Sequence, residues 1–247
     1  VARFFLEKRE ENGRVEISGP DAHHINSVLR LKEGDTIECV AETGLVHLVE
    51  ITGLEAEVVF GRIRKTFATD QEPPLYLTLF QGLAKGDRMD FAVQKAVELG
   101  AAEIMPFTSR HTVVRLKEKQ AQNRVHRWQR IALAAAKQCG RTRVPQVGKI
   151  SSFADLLAEV QKRSREKEVV LLPYEGERQL GLKEITNAKP RRAGVIIGPE
   201  GGFHEDEVRQ LKEGGAVVIS LGPRILRTET AGVVALSLLG YKWGDLG

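Results

Sequence analysis

Hydrophobic and polar positions alternate in short runs over the first 65 residues. RFFL, RVEIS, DTIECVA, GLVHLVEIT and EAEVVFGRIRK show partial two-residue spacing and are split by Gly, Asn and Asp. That spacing predicts half-buried strands. Five of them in so short a span suggest a small barrel. One predicted helix, AHHINSVLRL, interrupts them, with Asp21 as its expected N-cap. The polar, proline-ended TFATDQEPP (66–74) reads as a linker. Beyond it the pattern alternates between strand and helix. LYLTLFQGL, EIMPF, EVVLLPY, AGVIIG and AVVISLG are apolar strand-length runs. KGDRMDFAVQKAVELG places Met89, Ala92, Val93, Ala96 and Val97 at helical spacing and closes at Gly100. Further helices are predicted over about 121–139, SFADLLAEVQKRSR, EDEVRQLKEG and ETAGVVALSLLGYKW, the last so apolar that burial is expected. The predicted class is α/β with a parallel sheet buried on both faces, preceded by a small β-barrel. The expected domains are 1–68 and 73–247.

Charge changes the picture in one region. Residues 1–70 carry 9 Lys/Arg against 13 Asp/Glu, and residues 71–247 carry 28 against 20. Within Ser109–Lys149 there are 11 Lys/Arg and one acid, Glu118. A concentrated basic segment suits a polyanion such as RNA; a solvated helix face is the plainer alternative. In the long helix, Val125, Trp128, Ala132, Ala135 and Cys139 fall on one side. Arg127, Arg130, Lys137 and Arg141 project from the other at 3.6 residues per turn. The two cysteines are far apart, no membrane-length apolar run exists, and no signal-peptide core is visible. A reduced, cytoplasmic protein is expected.

Three strand ends are candidate ligand loops: LLPYE (171–175), GPEGG (198–202) and LGPRIL (221–226). In open α/β sheets ligands gather beyond the carboxyl ends of strands. None of the three is a dinucleotide fingerprint or a P-loop. Gly201 and Gly202 allow close backbone approach to a ligand, and loops offering mostly backbone groups suit an adenine edge and a ribose. No HxxxH or HExxH spacing is present, so no metal is expected. Serines without an elbow motif argue against a serine hydrolase.

GPEGG followed by LGPRILRTETA and a deep helix resembles the SPOUT class of RNA methyltransferases. Within it the chain is similar to the RsmE family, the 16S rRNA (uracil-N3)-methyltransferases. HHINSVLRLKEGD (23–35), KGDRMDFAVQKAVELGAAEIMPF (85–107) and WQRIALAAAKQCGRTRVPQV (128–147) extend the resemblance over nearly the whole chain. One departure is His204, where the family usually has Ser or Thr as the cap of the next helix.

The resemblance implies a PUA-like barrel, a SPOUT domain with a C-terminal trefoil knot, and a homodimer using the last helix, with Ala231, Val234, Ala235 and Leu238 as its apolar stripe. It also implies S-adenosylmethionine held by Leu172, Pro173, Gly198, Pro199, Glu200, Gly201, Gly202, Leu221, Gly222, Ile225, Leu226, Thr230 and Ala231. The implied substrate is a uridine in the decoding region of small-subunit rRNA, met on the assembled small ribosomal subunit. Neutral uracil N3 must lose its proton before it can attack a methyl group, and charge then spreads to O2 and O4. Arg227 is the expected stabiliser of that charge, with Glu229 or Glu200 accepting the proton if burial raises its pKa. Alternatively, Arg227 and Glu229 pair with each other. RNA contacts are expected from His24, Arg30, Arg110, Arg127, Arg130 and Arg141. The competing reading is a non-catalytic RNA-binding or ribosome-assembly factor, which would have no need of three converging loops.

Overall fold

The computed structural model of the chain describes residues 1–7, 10, 12–185 and 189–247. It divides into two units, one of Val1–Glu72 with Ala136–Arg143 and one of Pro73–Ala135 with Val144–Gly247.

The first unit is a five-stranded sheet of β1 (Arg3–Phe5), β2 (Arg14–Ser18), β3 (Thr36–Val40), β4 (Val46–Leu54) and β5 (Val58–Phe67) in the order β1-β3-β4-β5-β2. β1 runs parallel to β3, and the other pairs are antiparallel. Register shifts in β4 at Leu48/Val49 and Ile51/Gly53 mark irregularities of the kind that bend a sheet. Alternate residues point inward, so Phe4, Ile17, Ile37, Cys39, Val49, Ile51 and Val59 form a core with Ala22 and Ile25. Gly61 lacks a side chain because a Cβ there would lie 2.3 Å from Val49 Cγ1.

The helix between β2 and β3 differs from expectation. α1 (Pro20–His23) starts after Gly19, so Asp21 sits inside its first turn and is not the cap. Proline at the first helical position needs no N–H partner. Asp21 instead accepts from Lys137 Nζ at 2.6 Å. The chain continues as a wider helical turn, His24–Leu29, ending at Arg30 in the left-handed region.

The second unit holds β6 (Tyr76–Gly82), β7 (Ala101–Phe107), β8 (Gln146–Val147), β9 (Val169–Pro173), β10 (Arg192–Ile197) and β11 (Val217–Ile219), all parallel, in the order β11-β9-β10-β6-β7-β8. The helices are α2 (Asp87–Glu98), α3 (Glu118–Cys139), α4 (Phe153–Arg165), α5 (Glu205–Glu213) and α6 (Thr228–Trp243); α3 ends in residues 136–139, which group with the first unit. The two-residue period splits the sheet between two layers. Phe80, Phe107, Leu172, Ile196 and Val218 pack with Leu156 and Val160 of α4 and Val208 and Leu211 of α5. Leu79, Gln81 and Ile197 lie within 4.0 Å of where a Cβ on Gly232 of α6 would sit. No helix among the described residues is long and apolar enough to cross a membrane.

α6 is not wholly buried, as its composition had suggested. Gly232, Ala235, Leu236, Leu239 and Trp243 are buried, while Leu238 and Tyr241 are exposed. Arg141 is a second correction. It was expected on a solvent-facing helix side, yet it is 5% exposed and bonded to Glu72 at 2.7 Å. The helix ends at Cys139, and Gly140, with φ +82°, turns the chain before Arg141 is reached.

Candidate active site

The strand order reverses around β6, because β7 lies on one side of it and β10 on the other. A cavity of about 370 Å³ opens at the carboxyl ends of β9 and β10. That lies within the roughly 300–1,000 Å³ usual for small-molecule and cofactor sites. Pro173 ends β9 and Glu175 lies beyond it, Gly198–Phe203 follow β10, Ile225–Arg227 lead into α6, and Thr228, Glu229 and Ala231 belong to its first turn. A fourth element, the start of α2, adds Arg88.

The turn after β10 is placed by close backbone contact. A Cβ on Gly82, the last residue of β6, would lie 2.4 Å from Pro199 N and 2.7 Å from Gly198 C. The turn closes on itself through Gly202 N–H to Pro199 O at 2.9 Å. Gly202 has φ +65°, which only glycine adopts at little cost. Gly201 has another reason for lacking a side chain: its Cβ would meet His111 Cβ at 2.9 Å. Gly201 still lines the cavity, and His111 fills the side on which a side chain would project.

A buried chain of hydrogen bonds ties α6 to this turn. Gln81 Nε2 donates to Thr228 Oγ1 at 2.9 Å, and Thr228 Oγ1 donates to Gly198 O at 2.6 Å. Glu200 accepts from the Lys85 N–H at 2.7 Å and from Arg88 Nη1 at 3.0 Å. Burial opposes the Glu200 charge, but these donors and its own N–H outweigh it and hold the carboxyl below its ordinary range. The condition set for Glu200 as a base, a raised pKa, is thus not met. Glu229 Oε1 lies 3.8 Å from Arg88 Nε, while its Oε2 is buried with no hydrogen-bond partner among the described residues. Arg227 caps α6 by position, is exposed and lines the cavity. It does not pair with Glu229, whose cationic neighbour is Arg88.

The expected cofactor residues divide into three groups. Pro173, Gly198, Pro199, Glu200, Gly201, Gly202, Ile225, Leu226 and Ala231 line the cavity. Leu221 and Gly222 line a smaller adjoining hollow of about 80 Å³ with Tyr174 and Arg224. Leu172 is fully buried in the α4–α5 core, and Thr230 lines neither space. Arg88, Glu175 and Thr228 were missed. Arg88 carries no local signature, because its partners lie in distant parts of the chain. The site fits S-adenosylmethionine on its own evidence. Ile225 is 86% exposed beside the cavity, and among the described residues nothing except its chain neighbours lies within 4 Å of a Cβ position on Gly222. An unpaired buried carboxylate oxygen awaits a donor.

His204 departs from the family's usual residue yet still caps α5. Its Nδ1 accepts from Asp206 N–H at 3.2 Å, and Glu207 accepts from His204 N–H at 3.0 Å. Glu207 is 5% exposed and also accepts from Arg110 N–H at 2.9 Å. Among the expected RNA contacts, His24, Arg30, Arg110, Arg127 and Arg130 are exposed. Arg127 already pairs with Asp90, and His24 packs edge-on to Phe4.

Comparisons with known proteins point the same way. A family model described as an RNA methyltransferase domain matches residues 71–240, and one described as an RNA methyltransferase PUA domain matches residues 17–62. The Ribosomal RNA small subunit methyltransferase E of Bacillus subtilis (strain 168) is 35% identical, over 98% of this chain and 97% of that protein. The crystal structure of a Ribosomal RNA small subunit methyltransferase E from Neisseria gonorrhoeae bound to S-adenosyl methionine has a TM-score of 0.90 and 34% identity, over 100% of this chain and 99% of that one. A methyltransferase of Legionella pneumophila in complex with the cofactor SAM gives 0.90 and 30%, over 99% of each chain.

Proposed function

The chain belongs to the RsmE family of ribosomal RNA small subunit methyltransferases, and on that premise we propose that it methylates N3 of one uridine in the decoding region of 16S rRNA, with S-adenosylmethionine as donor. The observation that carries the reading is the cavity at the strand ends with Glu229 Oε2 buried and unpaired at its wall. When bound, the cofactor supplies an electrophilic methyl group.

The protein's own residues then have distinct parts. Pro173, the Gly198–Gly202 turn and Ile225–Leu226 hold the adenosine portion through backbone groups and apolar contact. Arg227, fixed at its backbone and free at its guanidinium, stabilises the charge that develops on the uracil oxygens. Glu229 accepts the N3 proton, and Glu200 serves as a latch between the turn, Lys85 and Arg88. Residues 1–68 and the exposed His24, Arg30, Arg110, Arg127 and Arg130 bind the RNA within an assembled small subunit; residues 73–247 carry out transfer. Leu238 and Tyr241, exposed on an otherwise apolar helix, support a homodimer through α6. The knot implied by the family is part of the same proposal, as is a cytoplasmic setting where ribosomes are made.

The test is to map methylated nucleotides in 16S rRNA from cells with and without the protein, and to transfer labelled methyl to small subunits from the deficient cells. Unchanged rRNA and no transfer would leave RNA binding without catalysis as the reading.

A further inference from the structure

Ten residues join β7 to α3, and they carry Arg110, His111, Arg115 and Lys117. The segment is fastened to the cofactor side at two places. Arg110 N–H donates to the buried Glu207, which also holds the N-terminus of α5. His111 Nδ1 lies 3.0 Å from Gly201 O. A carbonyl only accepts, so Nδ1 carries a proton and donates it. His111 also occupies the space that a side chain on Gly201 would need: a Cβ there would lie 2.9 Å from His111 Cβ. The His111 ring also meets the His204 ring edge-on, with centroids 6.0 Å apart.

The consequence concerns the shape of the Pro199–Gly202 turn. Its internal bond, Gly202 N–H to Pro199 O, fixes one side. The Gly201 carbonyl, which no bond within the turn restrains, is fixed by His111. One wall of the cavity is therefore set by a residue on the basic segment. Arg110, Arg115 and Lys117 are exposed on that segment, where they can meet phosphate groups; Arg110 has Asp206 near it at 4.0 Å.

We propose that His111 is a positioning residue that couples RNA phosphates held by the 109–117 segment to cofactor binding at the Pro199–Gly202 turn. RNA that anchors the segment holds His111 against Gly201, and the turn is then ordered before the cofactor arrives. Linkage makes the effect reciprocal, so bound cofactor tightens RNA binding by the same factor. The inference rests on the rRNA methyltransferase reading.

The experiment measures the dissociation constant of labelled S-adenosylhomocysteine, which cannot react, by equilibrium dialysis with and without saturating small ribosomal subunits. The wild-type protein is expected to bind it roughly five-fold or more tightly with RNA, the lower end of ordinary coupling. His111→Ala should bring that ratio close to one. His111→Asn, which keeps an N–H able to reach Gly201 O, should restore part of it. A residue that merely props the fold would weaken binding alike in both conditions and leave the ratio intact, and that result overturns the proposal. A wild-type ratio of one also overturns it, even if the RNA binds and is methylated. Failure of the wild type to bind subunits at all would instead refute the proposed function, and the coupling with it. Melting curves of both variants identify loss of fold, and His111→Asn decides the matter should the alanine variant be unstable.

Discussion

Gly82→Ala isolates the contact on which the cavity wall depends. Gly82 has an ordinary backbone conformation, so alanine brings no torsional strain. Its methyl would lie 2.4 Å from Pro199 N, 2.7 Å from Gly198 C and 2.8 Å from Pro199 Cδ. Comfortable separation for such atoms is about 3.5–4.0 Å, so one side must move by roughly 1 Å. Gly82 is paired with Phe107 at the end of an inner strand, whereas Gly198–Pro199 begin a turn. The turn is the side that yields, and the Thr228 to Gly198 hydrogen bond moves with it. Overpacking of this kind costs about 1–3 kcal/mol of stability. A displacement near 1 Å at a reacting site costs on the order of a hundredfold in rate. Gly148→Ala is the control, since its methyl would meet nothing closer than 3.7 Å. Calorimetric titration with S-adenosylhomocysteine and single-turnover methyl transfer to small subunits would measure both effects. If Gly82→Ala bound and turned over like Gly148→Ala, the turn would not be held by this contact, and the placement of the cavity wall would be wrong.

Arg227→Ala should lower single-turnover methyl transfer about a hundredfold, the usual cost of one donor to a developing oxyanion, while changing cofactor affinity far less; Arg227→Lys should recover only part, and near-normal turnover of the alanine variant would remove Arg227 from catalysis. Arg163→Met should destabilise the fold by about 3–5 kcal/mol, because Arg163 is 3% exposed and holds Glu159, Glu103 and Thr78 at 2.7, 3.0 and 2.8 Å. A loss below about 1 kcal/mol in urea unfolding would show that these acids find other partners. Glu200 has a depressed pKa in the folded state, so its contribution to stability is complete above its ordinary value of 4.5 and fades as pH falls through the lower folded value. The melting-temperature difference between wild type and Glu200→Gln should therefore be flat above pH 4.5 and shrink below it; a difference that grows in acid would contradict the latch.

Strands and helices were legible where burial has one face per element. β3 alternates because Ile37 and Cys39 face a core, and α2 shows its period because Met89, Val93 and Val97 do. α6 is different. It is apolar on nearly every side, so no period marks which residues meet the sheet and which reach the surface. Leu236 and Leu238 look alike in sequence, yet one is 1% exposed and the other 37%. Arg141 was misplaced because helical spacing was carried past Gly140, where the backbone leaves the helix. Arg88 escaped notice because a cation in a helical first turn is unremarkable until Glu200 and Glu229 arrive from more than a hundred residues away.

The glycines of the GPEGG turn show how far a motif can be read without its neighbours. Absence of a side chain records either a close neighbour or a positive φ, and does not say which. At Gly202 the cause is its own torsion angle, at Gly201 it is His111, and at Gly198 it is Phe203, whose ring carbon would sit 3.1 Å from a Cβ. None of the three is explained by a ligand alone. The carboxylates sort by the same accounting of neighbours. Glu200 has its charge met by a backbone N–H and a guanidinium, so withdrawing a proton from uracil would give it nothing that it lacks. Glu229 has one oxygen toward Arg88 and one buried without a donor. A proton or an N–H brought to Oε2 removes a desolvation cost that the protein alone leaves standing. That asymmetry, absent from the sequence, supports the proposal that Glu200 is the latch and Glu229 the proton acceptor.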